Sequence, residues 1–389
     1  MSYFARRTNW NLRPNLFSTA LDAHRANGKP LLDLSASNPT SIGVHYEEHT
    51  LLSALTQPNA LKYEPASKGL LVAREAVARY YTERGTAVSP EHIILTVSTS
   101  EAYSYCFRLL CEPGDEVLVG LPSYPLFEFL ADIQDVRLIP YELVYDHGWQ
   151  IDFHSLSKAI TPRTRAILLV HPNNPTGSYI RPHEIAELNR ICSRHELAMI
   201  CDEVFLDYSL AETHTSLVEN NGALTFVLSG LSKIAGLPQM KLAWLVSSGP
   251  QPLREEALAR LDVIADTFLS PNAPVQWAAS AMLESRRGIQ LQVMERVRGN
   301  LAELDAQLAN QALCRRLDFE GGWYATLRVP ATRTDEELAV AILEHEAVLV
   351  QPGHFFDFAA DGHLVLSLIA PTAEFAEGVR RVLRFVQSA

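Results

Sequence analysis

The chain has 389 residues and a formal net charge of -12, which is too long for one small core, so about two domains are expected. A hydrophobic content of 47% with 20% charged residues excludes a disordered chain. The negative balance speaks against nucleic acid as a partner, because phosphate backbones call for an excess of Lys and Arg. Cys106, Cys111, Cys192, Cys201 and Cys314 form no C-x-x-C pair; they read as core thiols of a reducing compartment, with neither a disulfide frame nor a metal site expected. The basic start MSYFARRTNWNLRPN is not followed by the apolar segment of a secretory signal. No apolar run reaches bilayer-spanning length, so a cytoplasmic protein without membrane contact is expected.

In chain order, HIILTVS (92–98), DEVLVG (115–120), RAILLVHP (165–172) and the start of LAMICDEVFLDY (197–208) are short apolar runs bounded by polar residues. Such runs read as buried strands. ALTFVLSG (223–230) and KLAWLVSS (241–248) read as two more. Helical spacing fills GLLVAREAVARYYTERG (69–85) and RPHEIAELNRICSRHE (181–196). Alternating strands and helices predict an α/β fold, with a mostly parallel central sheet covered by helices on both faces. Beyond residue 250 the pattern turns helical, with an amphipathic stretch over 287–316. GGWYATLRVP (321–330), AVLVQPG (347–353) and HLVLSLIA (363–370) then suggest a smaller α+β unit. The expected division is a large domain over 46–290 and a small one from both termini, 1–45 and 291–389.

Four stretches carry chemistry. Asp202 and Glu203 end a predicted strand, and ligands of parallel sheets gather at the carboxyl ends of strands. A carboxylate buried there is costly unless something positive meets it. VSTSEAY (97–103) sets Ser98, Thr99 and Ser100 between a strand and a helix, with Glu101 three residues after Ser98. Its local chemistry is that of a capping box, and a helix N-terminus also binds phosphate. HPNNPTG (171–177) is a rigid turn that fixes the Asn174 amide at the sheet edge. In SGLSKIAGLPQMK (229–241), Lys233 lies among small residues with a second cation, Lys241, eight positions on. A lysine partly desolvated near another cation has a lowered pKa and is competent to form a Schiff base.

Asn-Pro-Thr-Gly, Asp-Glu-Val-Phe and Ser-Lys with a cation eight residues later, in this order, resemble the fold-type I pyridoxal-phosphate enzymes, and among them the class I/II aminotransferases. The likeness extends from DLSASNPTS (33–41) and KYEPASKGLLVAREAVARYY (62–81) to the final helix. It implies pyridoxal 5'-phosphate as cofactor, Lys233 as the catalytic Schiff-base lysine and proton shuttle, and Asp202 as partner of the protonated pyridine nitrogen. Asn174 would bind the ring's phenolic oxygen and Tyr124 would lie against the ring. Ser98, Thr99 and Ser100 at the helix start would hold the phosphate with Lys241. Tyr63 would reach the cofactor of a neighbouring subunit, which implies a homodimer with shared sites. The implied function is transfer of an amino group from a small amino donor to a 2-oxo acid acceptor.

Several positions depart from that family. Lys241 stands where a phosphate-binding arginine is expected, and Gly230 where a serine is. Phe205 replaces a tyrosine, so no hydroxyl reaches the phenolic oxygen, and the Schiff base is expected to keep its proton to higher pH. Val365 takes the place of the arginine that clamps the substrate carboxylate, and no cation stands near Asp266 to read a second one. Either Arg328 or Arg13 substitutes or the substrate lacks that carboxylate; Asn38 is a further candidate contact. A carbon–sulfur β-lyase shares this machinery, and a ligand-binding homologue with altered catalysis is a third reading. A DNA-binding regulator is disfavoured by the charge and by the short stretch, about 45 residues, before the large domain.

Overall fold

The structure, a computed structural model, describes residues 3–211 and 214–388. A short strand, β1 (Leu32–Asp33), precedes the central sheet. The sheet is built from β2 (Ile93–Thr96), β3 (Glu116–Leu121), β4 (Arg137–Tyr145), β5 (Trp149–Ile151), β6 (Thr164–Val170), β7 (Ala198–Asp202), β8 (Thr225–Gly230) and β9 (Ala243–Ser248). Their spatial order is β2-β9-β8-β7-β6-β3-β4-β5. From β8 to β4 every pairing is parallel, while β9 and β5 are antiparallel to their neighbours. The fold is the expected α/β type.

Both faces of this sheet are covered. Successive side chains of β7 point in opposite directions. Met199 and Cys201 pack with Val77, Tyr81 and Ile191 of the helices Leu71–Glu83 and Pro182–His195. Ala198 and Ile200 pack on the other side with Tyr103, Cys106 and Leu261. Lacking a solvent face, the strand can be apolar throughout.

A second layer holds β10 (Arg315–Arg316), β11 (Tyr324–Arg328), β12 (Val348–Leu349), β13 (Gln351–Pro352) and β14 (His363–Ser367). β10-β11-β14-β13 form an antiparallel sheet, and β12 pairs in parallel with β1. Its core gathers Leu34, Val297, Ile342, Leu364 and Phe375, so both ends of the chain contribute.

One helix serves both cores. It covers Ala273–Leu308, beginning and ending earlier than the amphipathic signal at 287–316. Ala278, Ala279 and Met282 pack against the central sheet's helices, whereas Val293, Val297 and Leu304 belong to the small core. Ser285 and Arg286 are also buried, which blurs the apolar stripe of the first half. At the far end Gln311 accepts from Leu313 and Cys314 and donates to the Cys314 carbonyl, closing a turn in place of further helix. Among the described residues no helix is long and apolar enough to cross a membrane. All five cysteines are free thiols.

Candidate active site

β6, β7 and β8 end side by side, and beyond their carboxyl ends opens a cavity of ≈ 620 Å³. Asp202 is the last residue of β7, and Lys233 lies on the four-residue helix Leu231–Ile234 that follows β8 directly. Asn174 comes from the turn after β6. Thr99 and Ser100 open the helix Thr99–Leu110 after β2. With Tyr124 they all line this one cavity, so five separate segments converge there.

Asp202 is 8% exposed. Its carboxylate accepts from the Tyr103 hydroxyl at 3.0 Å and from the Val204 backbone at 3.0 Å. Burial pushes its pKa up to about 6, against the pull of those two donors and of the Lys233 charge. Lys233 Nζ donates to the Ser37 carbonyl at 3.3 Å and lies 5.0 Å from the Trp323 ring centroid and 5.6 Å from that of Phe205. Burial among these rings brings its pKa down to about 8, opposed by Asp202. The Tyr208 hydroxyl donates to the Lys233 carbonyl at 2.6 Å and steadies the backbone that carries the amine.

The turn HPNNPTG divides its two asparagines. Asn173 spends its amide on the Pro122 carbonyl and the Thr176 hydroxyl. Asn174 is left facing the cavity, its Oδ1 shielded from water and without a partner. Trp323 Nε1 is likewise buried and unpaired. A buried carboxylate, an amide facing the cavity and a poised amine suit pyridoxal phosphate, whose ring nitrogen, phenolic oxygen and aldehyde would meet the carboxylate, the Asn174 amide N–H and the amine.

Other predicted residues sit elsewhere. Ser98 does not line the cavity; its hydroxyl accepts from Glu101 N at 3.1 Å as the N-cap, and Glu101 in turn accepts from Val97 N at 2.8 Å. Capping therefore consumes Ser98 and leaves Thr99 and Ser100 free. Lys241 is exposed, in a left-handed turn before β9, outside the cavity lining. Tyr63 is 82% exposed and lines a separate cleft of ≈ 190 Å³ with Asp266 and Leu269. The Asn38 side chain caps a short helix by accepting from Thr40, and it is the neighbouring Ser37 that borders the cavity. Arg13 and Arg328 are exposed and absent from the lining; Arg328 is at the opposite end of β11 from Tyr324, which does line it.

The sequence also left residues unread. Tyr103 stands four positions after Thr99 on one helical face, a spacing that could have pointed to it. Tyr324 shares a strand face with Arg328, but an uncharged ring on a strand has no signal of its own in the sequence. Gln351, Phe355 and Phe356 come from a segment with no motif, and only the fold brings them to the cavity.

The profile of the family "Aminotransferase class I and II" matches residues 29–382. The chain is 26% identical over 372 residues to the glutamate-pyruvate aminotransferase AlaA of Escherichia coli, covering 92% of this chain and 91% of that one. It is 27% identical over 380 residues to an alanine aminotransferase of Mycobacterium tuberculosis, covering 93% and 87%. An alanine aminotransferase from Pyrococcus furiosus superposes with a TM-score of 0.89 at 23% identity, over 99% of this chain and all of that one. A mutant aspartate aminotransferase of Thermus thermophilus gives 0.85 at 25% identity over 99% and 100%. The chain belongs to the class I and II aminotransferases, and its activity is pyridoxal-phosphate-dependent amino-group transfer.

Proposed function

We propose that this aminotransferase moves an amino group between a small amino donor and a 2-oxo acid, working in the cytoplasm as a homodimer with shared sites. Lys233, Asp202 and Asn174 share one cavity, and this convergence carries the reading. The names of the relatives, which pair glutamate with pyruvate or specify alanine, support an amino acid and a 2-oxo acid as the general substrate type. The division into units 46–290 and 1–45 with 291–389 belongs to the same proposal. It is supported by the change of core along the long helix, between Leu283 and Ile289.

Bound pyridoxal phosphate supplies an aldehyde that takes up the amino group and a ring that accepts electrons from the substrate's Cα. Asp202 would hold a proton on the ring nitrogen, and a cation at that atom would offset the burial of the carboxylate. Tyr103 and Val204 N fix the orientation of that carboxylate. Asn174 would donate its amide N–H to the phenolic oxygen. Thr99 and Ser100, with the free N–H groups of their helix, would hold the phosphate, while Lys241 stays outside the cavity lining. Tyr124, which lines the cavity, would pack against the ring. Lys233, with its lowered pKa, is neutral often enough to act as nucleophile and then as the base that takes the Cα proton. Aromatic walls from Phe205, Tyr324, Phe355 and Phe356 exclude water from that transfer.

The test is an absorbance titration of protein reconstituted with pyridoxal phosphate, against amino acids and carboxylate-free amines. Conversion to the pyridoxamine form, reversed by a 2-oxo acid and absent in Lys233→Ala, is the expected result. Release of pyruvate and ammonia with the original band unchanged would instead make the protein a lyase.

A further inference from the structure

Lys233 is carried by a single turn of helix, Leu231–Ile234. One turn does not hold itself together in water, and the last carbonyls of any helix lack a partner within it. Here side chains from distant segments bind them. The Tyr208 hydroxyl donates to the Lys233 carbonyl at 2.6 Å, and Gln290 Nε2 donates to the Ile234 carbonyl at 2.9 Å. The same Nε2 donates to Asp207 Oδ2 at 2.7 Å. Asp207 precedes Tyr208 in the chain and Lys233 precedes Ile234, so these three bonds and the backbone close a ring. Asp207 is anchored in turn by Arg84 and by the Tyr80 hydroxyl, the latter at 3.1 Å. Tyr208 is fully buried, and its ring meets that of Trp323 edge-on at 5.0 Å. Trp323 is also the ring whose centroid lies 5.0 Å from Lys233 Nζ. Neither Tyr208 nor Gln290 lines the cavity, so both act from behind the amine.

We propose that Tyr208 and Gln290 are positioning residues for proton transfer: their bonds hold the backbone under Lys233, so that Nζ swings only by rotation of its own side chain and returns to one place beside the reacting carbon. The inference rests on the transamination reading above. Lysine is a flexible four-carbon stem, so its point of attachment is what the protein can fix in advance. In the step concerned, Nζ takes the Cα proton and the electron pair of that bond passes into the cofactor ring. The proton and a pair then rejoin at the carbon that was the cofactor's aldehyde, and no other reactant enters. Such a transfer depends on the placement of the base, and a shift of about 1 Å costs about a hundredfold in rate. Burial raises the pKa of Tyr208, so its hydroxyl keeps its proton and remains a donor.

Tyr208→Phe keeps the ring and removes the hydroxyl, while Gln290→Met keeps the length and removes the amide. In single-turnover conversion of the holoenzyme by L-alanine, each is expected to lower the limiting rate by about ten- to a hundredfold, with the half-saturating alanine concentration unchanged. With α-deuterated alanine the isotope effect is expected to be at least that of wild type, which places the loss in proton transfer. Rescue supplies a readout that a merely structural role would not move. In Lys233→Ala, methylamine serves as a base with no tether, and adding Tyr208→Phe is expected to leave the methylamine-dependent rate within about twofold. An equal loss in the rescued rate means that Tyr208 shapes the pocket and not the lysine, which overturns the proposal. An unchanged limiting rate in both variants overturns it as well. If Tyr208→Phe does not fold, Gln290→Met carries the same two measurements. If no amino donor converts the wild-type cofactor band, the transamination reading fails first, and capture of pyridoxal phosphate by the apoprotein then decides the positioning. Capture is expected to slow about tenfold or more in Tyr208→Phe, while Lys233→Ala holds the cofactor equally tightly with and without that substitution; equal capture rates overturn the assignment.

Discussion

Lys233 and Asp202 oppose each other through burial: each is driven toward its neutral form, and each charge favours the other's. The amine captures an aldehyde only when unprotonated. Capture of pyridoxal phosphate by the apoprotein should therefore accelerate with pH and level off above a midpoint near 8, well below an ordinary lysine. Stopped-flow absorbance between pH 6.5 and 10 measures it, and a midpoint near the ordinary value of 10.5 would mean that the aromatic cage does not desolvate the amine. Asp202 acts in the opposite sense. The native state binds its proton more tightly than the unfolded chain, with values of about 6 against 3.8. Apoprotein stability therefore falls as pH rises through that window, and Glu203, raised to about 7 by burial, adds to the decline. Asp202→Asn should make the decline shallower in denaturant titrations from pH 4 to 7 while slowing transamination by about 100- to 1,000-fold. Most of these charged players were legible in the sequence, because a carboxylate at a strand end or a lysine among small residues is locally conspicuous. Tyr103 and Gln351 were not, since an uncharged side chain gains meaning only from the neighbour that the fold brings to it.

At the scale of elements, the turn after β6 shows how the site is held. Gly177 has φ of +70°, and an added Cβ would meet the Phe319 ring and the Gly321 carbonyl. Its N–H donates to the Asn173 carbonyl at 2.7 Å, and its own carbonyl accepts from Glu320 N at 3.2 Å and Gly321 N at 3.0 Å. The turn that aims Asn174 is thereby bonded to the approach to β11. Gly177→Ala should cost about 1–3 kcal/mol through its backbone conformation alone and should loosen cofactor retention by shifting Asn174. Paired thermal melts and equilibrium dialysis of pyridoxal phosphate check it; lost stability with unchanged cofactor affinity would separate the turn's packing from its role in the site. The buried strands of the central sheet were readable because both their faces are apolar. β4 and β5 were not, because an edge hairpin carrying Arg137, Pro140 and Glu142 lacks a continuous apolar run. The early start of the helix Ala273–Leu308 escaped for another reason: Gln276, Ser285 and Arg286 lie on its buried face and interrupt the apolar stripe.

For the whole molecule, Tyr63 sets the problem. It lies 82% exposed on this chain, in a cleft outside the cofactor cavity, and an exposed phenol with no local partner does nothing for its own site. In a two-fold dimer the same surface meets its own copy, so a residue useless in cis can complete a site in trans. Mixed subunits test this directly. Lys233→Ala and Tyr63→Ala should each form a nearly inactive homodimer, the first without its nucleophile and the second without its phosphate contact. A heterodimer of the two contains one site with an intact Lys233 from one subunit and an intact Tyr63 from the other, while its second site lacks both. Random reassortment gives heterodimers in about half of the dimers, each with one of two sites intact, so activity should recover to about a quarter of wild type. Recovery requires subunit exchange, which a tag on one subunit reports. Exchange without recovery would place Tyr63 in the same subunit's function or in none, whereas recovery near the predicted level would make the pair of chains the catalytic unit.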